Sequence, residues 1–196
     1  MGKTVAGFTM SLDGFIAGPN DEVDKLFRWY RAGDTEFTAE GAPYPFMVAQ
    51  ASAGLLKREW SRIGAIVTGR RDFDVSKAWG GRPILGVPTF IVTHDPPLEW
   101  AGKQPKFIFV TEGVEAAINQ AREIAGDKVV GIGGTQIVQQ ALRSGLVDEF
   151  QIDLVPLLLG EGIRLFDHLG PEAVDLEYLE TVEGTGVTHL RFRVVK

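Results

Sequence analysis

The sequence of 196 residues contains no cysteine. Disulfide bonds, thiolate metal sites and cysteine nucleophiles are therefore excluded, and the chain is compatible with a reducing compartment. No apolar run approaches the roughly 18 to 20 residues that cross a membrane, and the first residues lack the basic-then-apolar build of a signal peptide. We therefore expect a soluble, cytoplasmic protein with no membrane partner.

Histidine is scarce, and the three that occur are His94, His168 and His189. No two of them have the spacing of a metal-binding motif, so a zinc hydrolase is improbable and we expect no metal. The net charge of −6 is spread along the chain rather than gathered in blocks, which argues against a nucleic-acid surface. With 44% hydrophobic and 23% charged residues, the composition predicts one globular domain over residues 1–196.

Strand-like and helix-like patterns alternate along the chain. This alternation predicts an α/β fold, with a largely parallel sheet covered by helices on both faces and an antiparallel C-terminal edge. Residues 22–46 have no clear period, and we expect a long irregular excursion that walls or covers a pocket. Strand patterns occupy 3–12, 65–69, 89–94, 106–111, 129–132, 147–160 and a pair within 177–196, and helical patterns occupy 46–60, 70–75, 113–126 and 135–142.

One strand-to-helix turn contains two adjacent glycines. In VVGIGGTQIVQQAL, residues 129–142, a β-branched strand pattern passes through Gly133 and Gly134 directly into a helical pattern. Glycine permits a positive φ and a close approach to a ligand, and the free N–H groups of a helix start attract anions. The stretch lacks a complete dinucleotide or Walker A motif, so it is either a nucleotide loop or a tight turn.

A second turn of this kind is VTGRRD, residues 67–72, in which Arg70 and Arg71 follow Gly69. Guanidinium groups suit a phosphate, although a solvated basic helix end explains the two arginines equally simply. Ligands of open α/β sheets bind at the carboxyl ends of the strands, where both glycine turns fall. The two turns together favour a phosphate-bearing ligand.

Five segments in order carry a resemblance to a known family. TMSLDGFIAG (9–18), AIVTGRRDFD (65–74), TFIVTH (89–94), VVGIGGTQIVQQAL and VDEFQIDLVPLLLGEGIRLF (147–166) resemble the dihydrofolate-reductase-like superfamily. More closely, they resemble bacterial proteins related to the C-terminal reductase domain of the bifunctional riboflavin-pathway deaminase-reductase. The resemblance covers nearly the whole chain. It implies a three-layer fold with a central, mostly parallel, eight-stranded sheet, and an oxidoreductase that uses NADPH.

The resemblance also implies a position for each part of NADPH. The family pattern places a cis peptide bond between Gly133 and Gly134. A cis bond before a residue other than proline costs a few kcal/mol. Asp72 departs from the pattern, because many relatives have threonine there, and a carboxylate would repel the 2′-phosphate. The implied cofactor residues are Gly133, Gly134, Thr135, Gln136 and Ile137 for the pyrophosphate, Gly69, Arg70, Arg71, Thr93 and His94 for the adenosine side, and Thr9, Ile16 and Ala17 for the nicotinamide end.

Two carboxylates are candidate catalytic residues. Asp13 either lies beside the nicotinamide or is an acidic turn residue before Gly14. Asp153 interrupts an apolar strand, where it either faces the pocket and tunes proton delivery or is satisfied by backbone donors. Strand alternation places Gln151, Asp153 and Val155 on one face. Aromatic surface for a flat substrate is available from Trp29, Tyr30, Phe37, Tyr44, Phe46 and Trp60, although such side chains commonly form core.

Several functions remain open from the sequence. The leading one is NADPH-dependent reduction of a small heterocyclic or carbonyl substrate, with the 5-amino-6-(5-phosphoribosylamino)uracil reductase domain as the precedent that the resemblance supplies. The alternatives are an NADPH-binding protein without turnover and a pterin reductase. The resemblance disfavours dihydrofolate itself, because dihydrofolate reductases have a carboxylate early in the first long helix that meets the pterin ring. The helical pattern at 46–60 has no acid before Glu59. The resemblance and the apolar run LVPLLLG, residues 154–160, also predict a homodimer.

Overall fold

The computed structural model describes residues 2–42, 44–100 and 102–196. Four helices and four short 3₁₀ segments accompany twelve strands in this part of the chain. The strands are β1 (Thr4–Ser11), β2 (Phe15–Ala17), β3 (Thr35–Phe37), β4 (Phe46–Val48), β5 (Ile63–Gly69), β6 (Thr89–Val92), β7 (Phe107–Val110), β8 (Val129–Ile132), β9 (Glu149–Val155), β10 (Ile163–Arg164), β11 (Leu176–Gly184) and β12 (Val187–Val194). The helices are α1 (Gln50–Ser61), α2 (Arg70–Val75), α3 (Val114–Ala125) and α4 (Thr135–Arg143), and the 3₁₀ segments are Leu26–Arg31, Lys77–Gly81, Ile84–Gly86 and Leu98–Trp100.

Eight strands form the central sheet, in the order β11-β12-β9-β1-β8-β5-β6-β7. The pairs from β9 through β7 are parallel, whereas β12 pairs antiparallel with both β9 and β11. The predicted eight-stranded, mostly parallel sheet with an antiparallel C-terminal edge is therefore confirmed. All four residues of β8 are buried, as expected for a strand with helices or loops over both faces.

Helices cover the sheet on both faces. The larger core cluster combines small and branched residues of α3 and α4 with Phe150 and Ile152 of β9. Their neighbour Val155 points to the other face, where it joins Leu56 of α1 and the buried Trp29 in a second cluster. Because side chains alternate along β9, this second face also receives Gln151 and Asp153. The candidate catalytic carboxylate thus lies beneath α1 and the segment around Trp29.

Residues 46–48 differ from the predicted helix over 46–60. Phe46 and Val48 are buried while Met47 between them is exposed, which is the period of a strand, and β4 pairs antiparallel with β3. Helix α1 begins only at Gln50. At the other end of the chain, the strand predicted over 147–160 stops at Val155, because Pro156 has no N–H to give to a ladder.

The segment DGFIAGPND, residues 13–21, whose Asp, Gly, Pro and Asn content predicts a loop, and the irregular excursion both contain short regular elements. Strand β2 lies within the first of these segments and pairs antiparallel with β10. The excursion over 22–46 contains the Leu26–Arg31 3₁₀ segment and strand β3. Among the described residues, no helix is long and apolar enough to span a membrane, and no group of side chains has the makeup of a metal site.

Candidate functional site

A cavity of about 1350 Å³ lies across the carboxyl ends of the central parallel strands. Its lining joins the two glycine turns to the sheet face that carries Asp153, with residues of the 22–46 excursion as one wall. Every cofactor residue that the resemblance implies lines this cavity: Thr9, Ile16, Ala17, Gly69, Arg70, Arg71, Thr93, His94, Gly133, Gly134, Thr135, Gln136 and Ile137. A ligand that spans the cavity therefore reaches both turns and the carboxylate.

The Gly133-Gly134 turn packs closely against the Gly69 turn. A Cβ at Gly134 would lie 3.2 Å from the backbone nitrogen of Gly69 and 3.3 Å from Thr68 Oγ1. Gly134 has a φ of +76° and precedes α4, whose first backbone hydrogen bond runs from Val138 N to Gly134 O. The N–H groups before Val138 are therefore free at the cavity, in the geometry that binds an anion.

The expected cis peptide between Gly133 and Gly134 is wrong. None of the described residues has a cis peptide bond, so this bond is trans. The positive φ of Gly134 reverses the chain without it, since glycine has no Cβ to clash in that region. The turn still presents bare backbone to the cavity, and only the source of its shape differs from the expectation.

Arg70 and Arg71 both lie at the cavity, and each is held by a carboxylate. Arg70 Nε donates to both oxygens of Asp74 at 2.8 Å, one helical turn away. Arg71 donates from Nε and Nη2 to the two oxygens of Asp21, each at 3.0 Å. The Arg71 side chain is 69% exposed. An incoming phosphate would thus compete with Asp21 for Arg71 at a solvated position, where exchange of ion-pair partners costs little.

The Asp72 carboxylate lines the cavity beside Thr68 and the Gly133 turn. Its Oδ2 accepts a hydrogen bond of 2.6 Å from Thr68 Oγ1, and a Cβ at Gly133 would lie 3.7 Å from the same oxygen. Burial raises the pKa of Asp72, the Thr68 hydrogen bond opposes this, and the negative Asp21 adds to it. The raised pKa of Asp72 weakens the repulsion of a phosphate that the sequence predicts.

Asp153 lies in a buried chain of hydrogen bonds that includes two residues missed by the sequence analysis. Its Oδ1 is 2.7 Å from His189 Nδ1 and 3.4 Å from Gln151 Nε2. The other imidazole nitrogen, Nε2 of His189, is 2.8 Å from Ser52 Oγ on α1. His189 was considered only as a metal ligand and Ser52 not at all. Strand register could have linked His189 to Asp153, because the two residues lie opposite each other in the pairing of β12 with β9.

An aromatic wall faces Asp153 across the cavity. Tyr30 stacks on Phe46 with ring centroids 4.3 Å apart, and both line the cavity together with Trp60. Burial, and then the nearby Asp153 carboxylate, raise the pKa of the Tyr30 phenol, so its hydroxyl stays protonated. The buried Trp29 lies behind this wall and donates from Nε1 to Thr9 Oγ1 at 3.4 Å.

The remaining candidate aromatics contribute in other ways. Phe37 packs on Phe46 and Trp60 in the core behind the wall, whereas Tyr44 is exposed with Arg31 over its ring. The described lining of the cavity includes neither Phe37 nor Tyr44. The wall therefore contains Tyr30, Phe46 and Trp60, three of the six aromatic residues that the sequence suggested.

Asp13 lies apart from the cavity lining and organises a turn. Its carboxylate accepts hydrogen bonds from Ser11 Oγ at 2.6 Å and from the backbone nitrogens of Leu159 and Gly160 at 3.1 and 2.8 Å. The hydrogen bond from Ser11, followed by the two backbone donors, lowers the pKa of Asp13 to about 2. Of the two roles left open for Asp13, this geometry favours the turn residue.

Comparisons with known proteins place this geometry in a family. A family profile described as the RibD C-terminal domain matches residues 3–190. The chain belongs to this family. It is 26% identical over 182 residues to the uncharacterized protein YyaP of Bacillus subtilis (strain 168), an alignment that spans 84% of this chain and 80% of YyaP. RibD is the name of the riboflavin-pathway deaminase-reductase type to which the sequence showed its resemblance.

Two solved structures agree with the fold of this RibD C-terminal domain. A putative riboflavin biosynthesis protein from Shewanella sp. PV-4 has a TM-score of 0.74 and 21% identity, with 99% of each chain covered. Dihydrofolate reductase from Enterococcus faecalis, complexed with NADP(H) and RAB-propyl, has a TM-score of 0.58 and 16% identity, covering 99% of this chain and 97% of the reductase. The dihydrofolate-reductase-like fold is therefore confirmed.

Proposed function

We propose that this RibD C-terminal domain is an NADPH-dependent reductase of a small heterocyclic or carbonyl compound. The observation that supports it most is the single cavity that joins an anion-binding helix start, two arginines and a buried carboxylate. A Cβ at Gly134 would come within 3.2 Å of the Gly69 nitrogen, so the turn leaves only bare backbone beside the cavity. This cradle and the free N–H groups of α4 suit the pyrophosphate of a dinucleotide.

The chain's own residues divide the work of such a reaction between two ends of the cavity. The start of α4 and the Gly69 turn bind the phosphates, and Arg70 and Arg71 neutralise a further phosphate at the mouth. NADPH supplies the hydride when it is bound. Asp153 and the protonated Tyr30 hydroxyl contact the acceptor at the other end, where they orient it and exchange its proton.

The substrate proposal excludes dihydrofolate. The first two turns of α1, from Gln50 to Lys57, contain no carboxylate, and Glu59 further along is held by Arg58, Arg62 and Arg191. Glu59 also lines the cavity, but three arginines neutralise it, whereas Asp153 reaches the cavity from β9 in the sheet. We therefore propose a reducible heterocycle or carbonyl compound of the kind handled by the aminouracil reductase precedent, rather than a folate.

Replacing Arg70 and Arg71 together by alanine is expected to weaken NADPH binding by about 10- to 100-fold, the range for lost charge-assisted hydrogen bonds. NADH affinity is expected to change by less than about threefold, because NADH lacks the 2′-phosphate. Isothermal titration calorimetry of both cofactors measures the difference. Arg193→Ala is the matched control, since Arg193 lies at the far sheet edge and, among the described residues, forms an ion pair with Glu177 alone. An equal loss of affinity for NADPH and NADH would show that the two arginines do not bind the 2′-phosphate.

We also propose that the domain forms a homodimer through an apolar surface at the end of β9. Leu157 and Leu159 pack into the second core cluster, whereas Leu158 between them is 69% exposed. Leu12, whose N–H donates to Leu157 O, is also exposed beside it, and neighbouring exposed apolar side chains are typical of an interface. Light scattering at micromolar concentration is expected to give twice the monomer mass, and Leu158→Asp to give the monomer. A wild-type monomer under these conditions would rule the dimer out.

A further inference from the structure

The Ser52–His189–Asp153 chain is a complete hydrogen-bond chain with one end at the cavity. His189 is 1% exposed, and its two ring nitrogens lie 2.7 Å from Asp153 Oδ1 and 2.8 Å from Ser52 Oγ. Asp153 lines the cavity, and among the described residues no hydrogen bond reaches its second oxygen, Oδ2. Ser52 is fully buried at the opposite end. Protons can therefore enter or leave this chain at Asp153 and not at Ser52.

Two proton arrangements satisfy every member of the chain. With one fewer proton, His189 donates from Nδ1 to the Asp153 carboxylate and the Ser52 hydroxyl donates to the bare Nε2. With one more proton, the imidazolium donates from both nitrogens, and Ser52 rotates its hydroxyl to accept. A hydroxyl can either donate or accept, so the hydrogen bond between Ser52 and His189 persists in both arrangements. The structure shows none of the buried side-chain nitrogens or oxygens of the described residues unpaired.

The residues around the Ser52–His189–Asp153 hydrogen-bond chain do not hold it in a single protonation state. Arg191, two residues along β12, is the nearest cation on this face, but Glu59, Glu149 and Glu180 engage it at 3.0, 3.1 and 3.2 Å. From the Leu26–Arg31 segment, Tyr30 approaches Asp153 as a neutral phenol. With the extra proton, the hydrogen-bond chain contains an imidazolium–carboxylate pair with no net charge, which burial favours. Without the extra proton, Gln151 and Tyr30 support the remaining Asp153 carboxylate.

The backbone of β11 leaves room for this chain. A Cβ at Gly184 would lie 2.2 Å from Ser52 Oγ and 3.4 Å from His189 Nε2. Gly184 does not have a positive φ, so its backbone conformation alone does not require glycine. Its lack of a side chain instead allows the Ser52 hydroxyl to reach the imidazole. The close approach indicates a built contact between α1 and the sheet rather than an incidental one.

We propose that Asp153 and His189 together hold the one proton that each reduction consumes, with Ser52 as the positioning residue that lets His189 gain and lose it. This inference rests on the proposed reductase function. The acceptor's carbon gains a hydride from NADPH, which leaves NADP⁺. The imidazolium passes its proton to Asp153, and the acceptor's nitrogen or oxygen takes that proton from Asp153, so that neutral His189 and the Asp153 carboxylate remain. After product leaves, a proton from solvent, delivered through water in the cavity to Asp153, restores the imidazolium.

Nuclear magnetic resonance of ¹⁵N-labelled imidazoles tests the proton store without any substrate. The His189 signals are identified by their loss in His189→Gln. In the wild-type chain, we expect the His189 signals to change from those of an Nδ1–H tautomer to those of an imidazolium as the pair takes up its proton. In Asp153→Asn we expect this change to be lost, since the counter-charge is missing. A wild-type imidazole that keeps one tautomer throughout would overturn the inference.

Kinetics test whether the stored proton is used. With the first pteridine, pyrimidine or flavin acceptor that the wild-type chain reduces, His189→Gln is expected to lower the rate at least about 10-fold and to flatten its pH profile, while NADPH affinity stays within about twofold. Ser52→Ala, which keeps both ionisable partners, is expected to give a smaller loss and a shifted profile. Thr188→Val is the control, because its side chain lies on the other face of β12.

The two measurements separate this inference from the proposed function. If His189→Gln and Ser52→Ala keep the wild-type rate and pH profile, the chain is structural and the inference is wrong. If His189→Gln does not fold, Ser52→Ala and the wild-type imidazole signals decide the question. A wild-type chain that binds no NADPH would contradict the proposed function, whereas the His189 signals would still show whether the pair holds a proton.

Discussion

Asp153→Asn is expected to lower the rate of NADPH-dependent reduction by about 100-fold or more, the usual size of a general acid–base contribution. NADPH affinity is expected to stay within about twofold of the wild-type value, since Asp153 lies on β9 and the two glycine turns proposed to bind the phosphates follow other strands. Asparagine keeps the shape and an acceptor oxygen for His189, but it holds no transferable proton. Stopped-flow absorbance of NADPH oxidation measures the rate, and calorimetry measures the affinity.

The control for Asp153→Asn is Asp127→Asn, the same chemical change at an exposed position between α3 and β8. It is expected to leave both the rate and the affinity unchanged. If Asp153→Asn reduces an acceptor at the wild-type rate with an unchanged pH profile, Asp153 has only a structural role. The proton would then come from Tyr30 or from water in the cavity.

Gly134→Ala is expected to weaken NADPH binding by at least about 10-fold and to lower the melting temperature by several degrees. A side chain at the φ of +76° and ψ of 124° of Gly134 costs about 1 to 3 kcal/mol. The added Cβ would also approach the Gly69 nitrogen and Thr68 Oγ1 within 3.3 Å, so the two turns would separate. Separation moves the free N–H groups of α4 away from the pyrophosphate. Calorimetry and differential scanning fluorimetry measure the two effects.

Gly145→Ala isolates the contribution of the site from that of backbone strain. Gly145 has a similar φ of +66°, follows α4 at its other end and has no atom near the position of a Cβ. Gly145→Ala is expected to lose a similar amount of stability through backbone strain, and to keep the wild-type affinity for NADPH. Equal affinities in Gly134→Ala and Gly145→Ala would show that the Gly133-Gly134 turn does not bind the phosphates.

The order of strands and helices could be predicted because each element carries its own local signal. The buried run of β8 and the amphipathic pattern of α3 are visible without any partner. Residues 46–48 were assigned to a helix because three residues are too few to show a strand period beside a strong helical pattern. The decisive information is the partner strand β3, which lies at the end of an irregular segment.

The site could be predicted where glycine or a family motif marks it, and not where distant residues meet. The position of Asp153 on the cavity face followed from alternation alone. Its partner His189 is 36 residues away and meets it only through the register of β9 and β12. The Arg71–Asp21 pair joins residues 50 apart, so the sequence offered no sign that Arg71 already has a carboxylate partner.

The account depends most on the claim that the cavity binds NADPH. Isothermal titration calorimetry of the wild-type chain with NADPH and then with NADH tests it directly. We predict one NADPH per chain, with NADPH bound at least about 10-fold more tightly than NADH through the two arginines. Absence of measurable NADPH binding, or equal affinity for the two cofactors, would contradict the account.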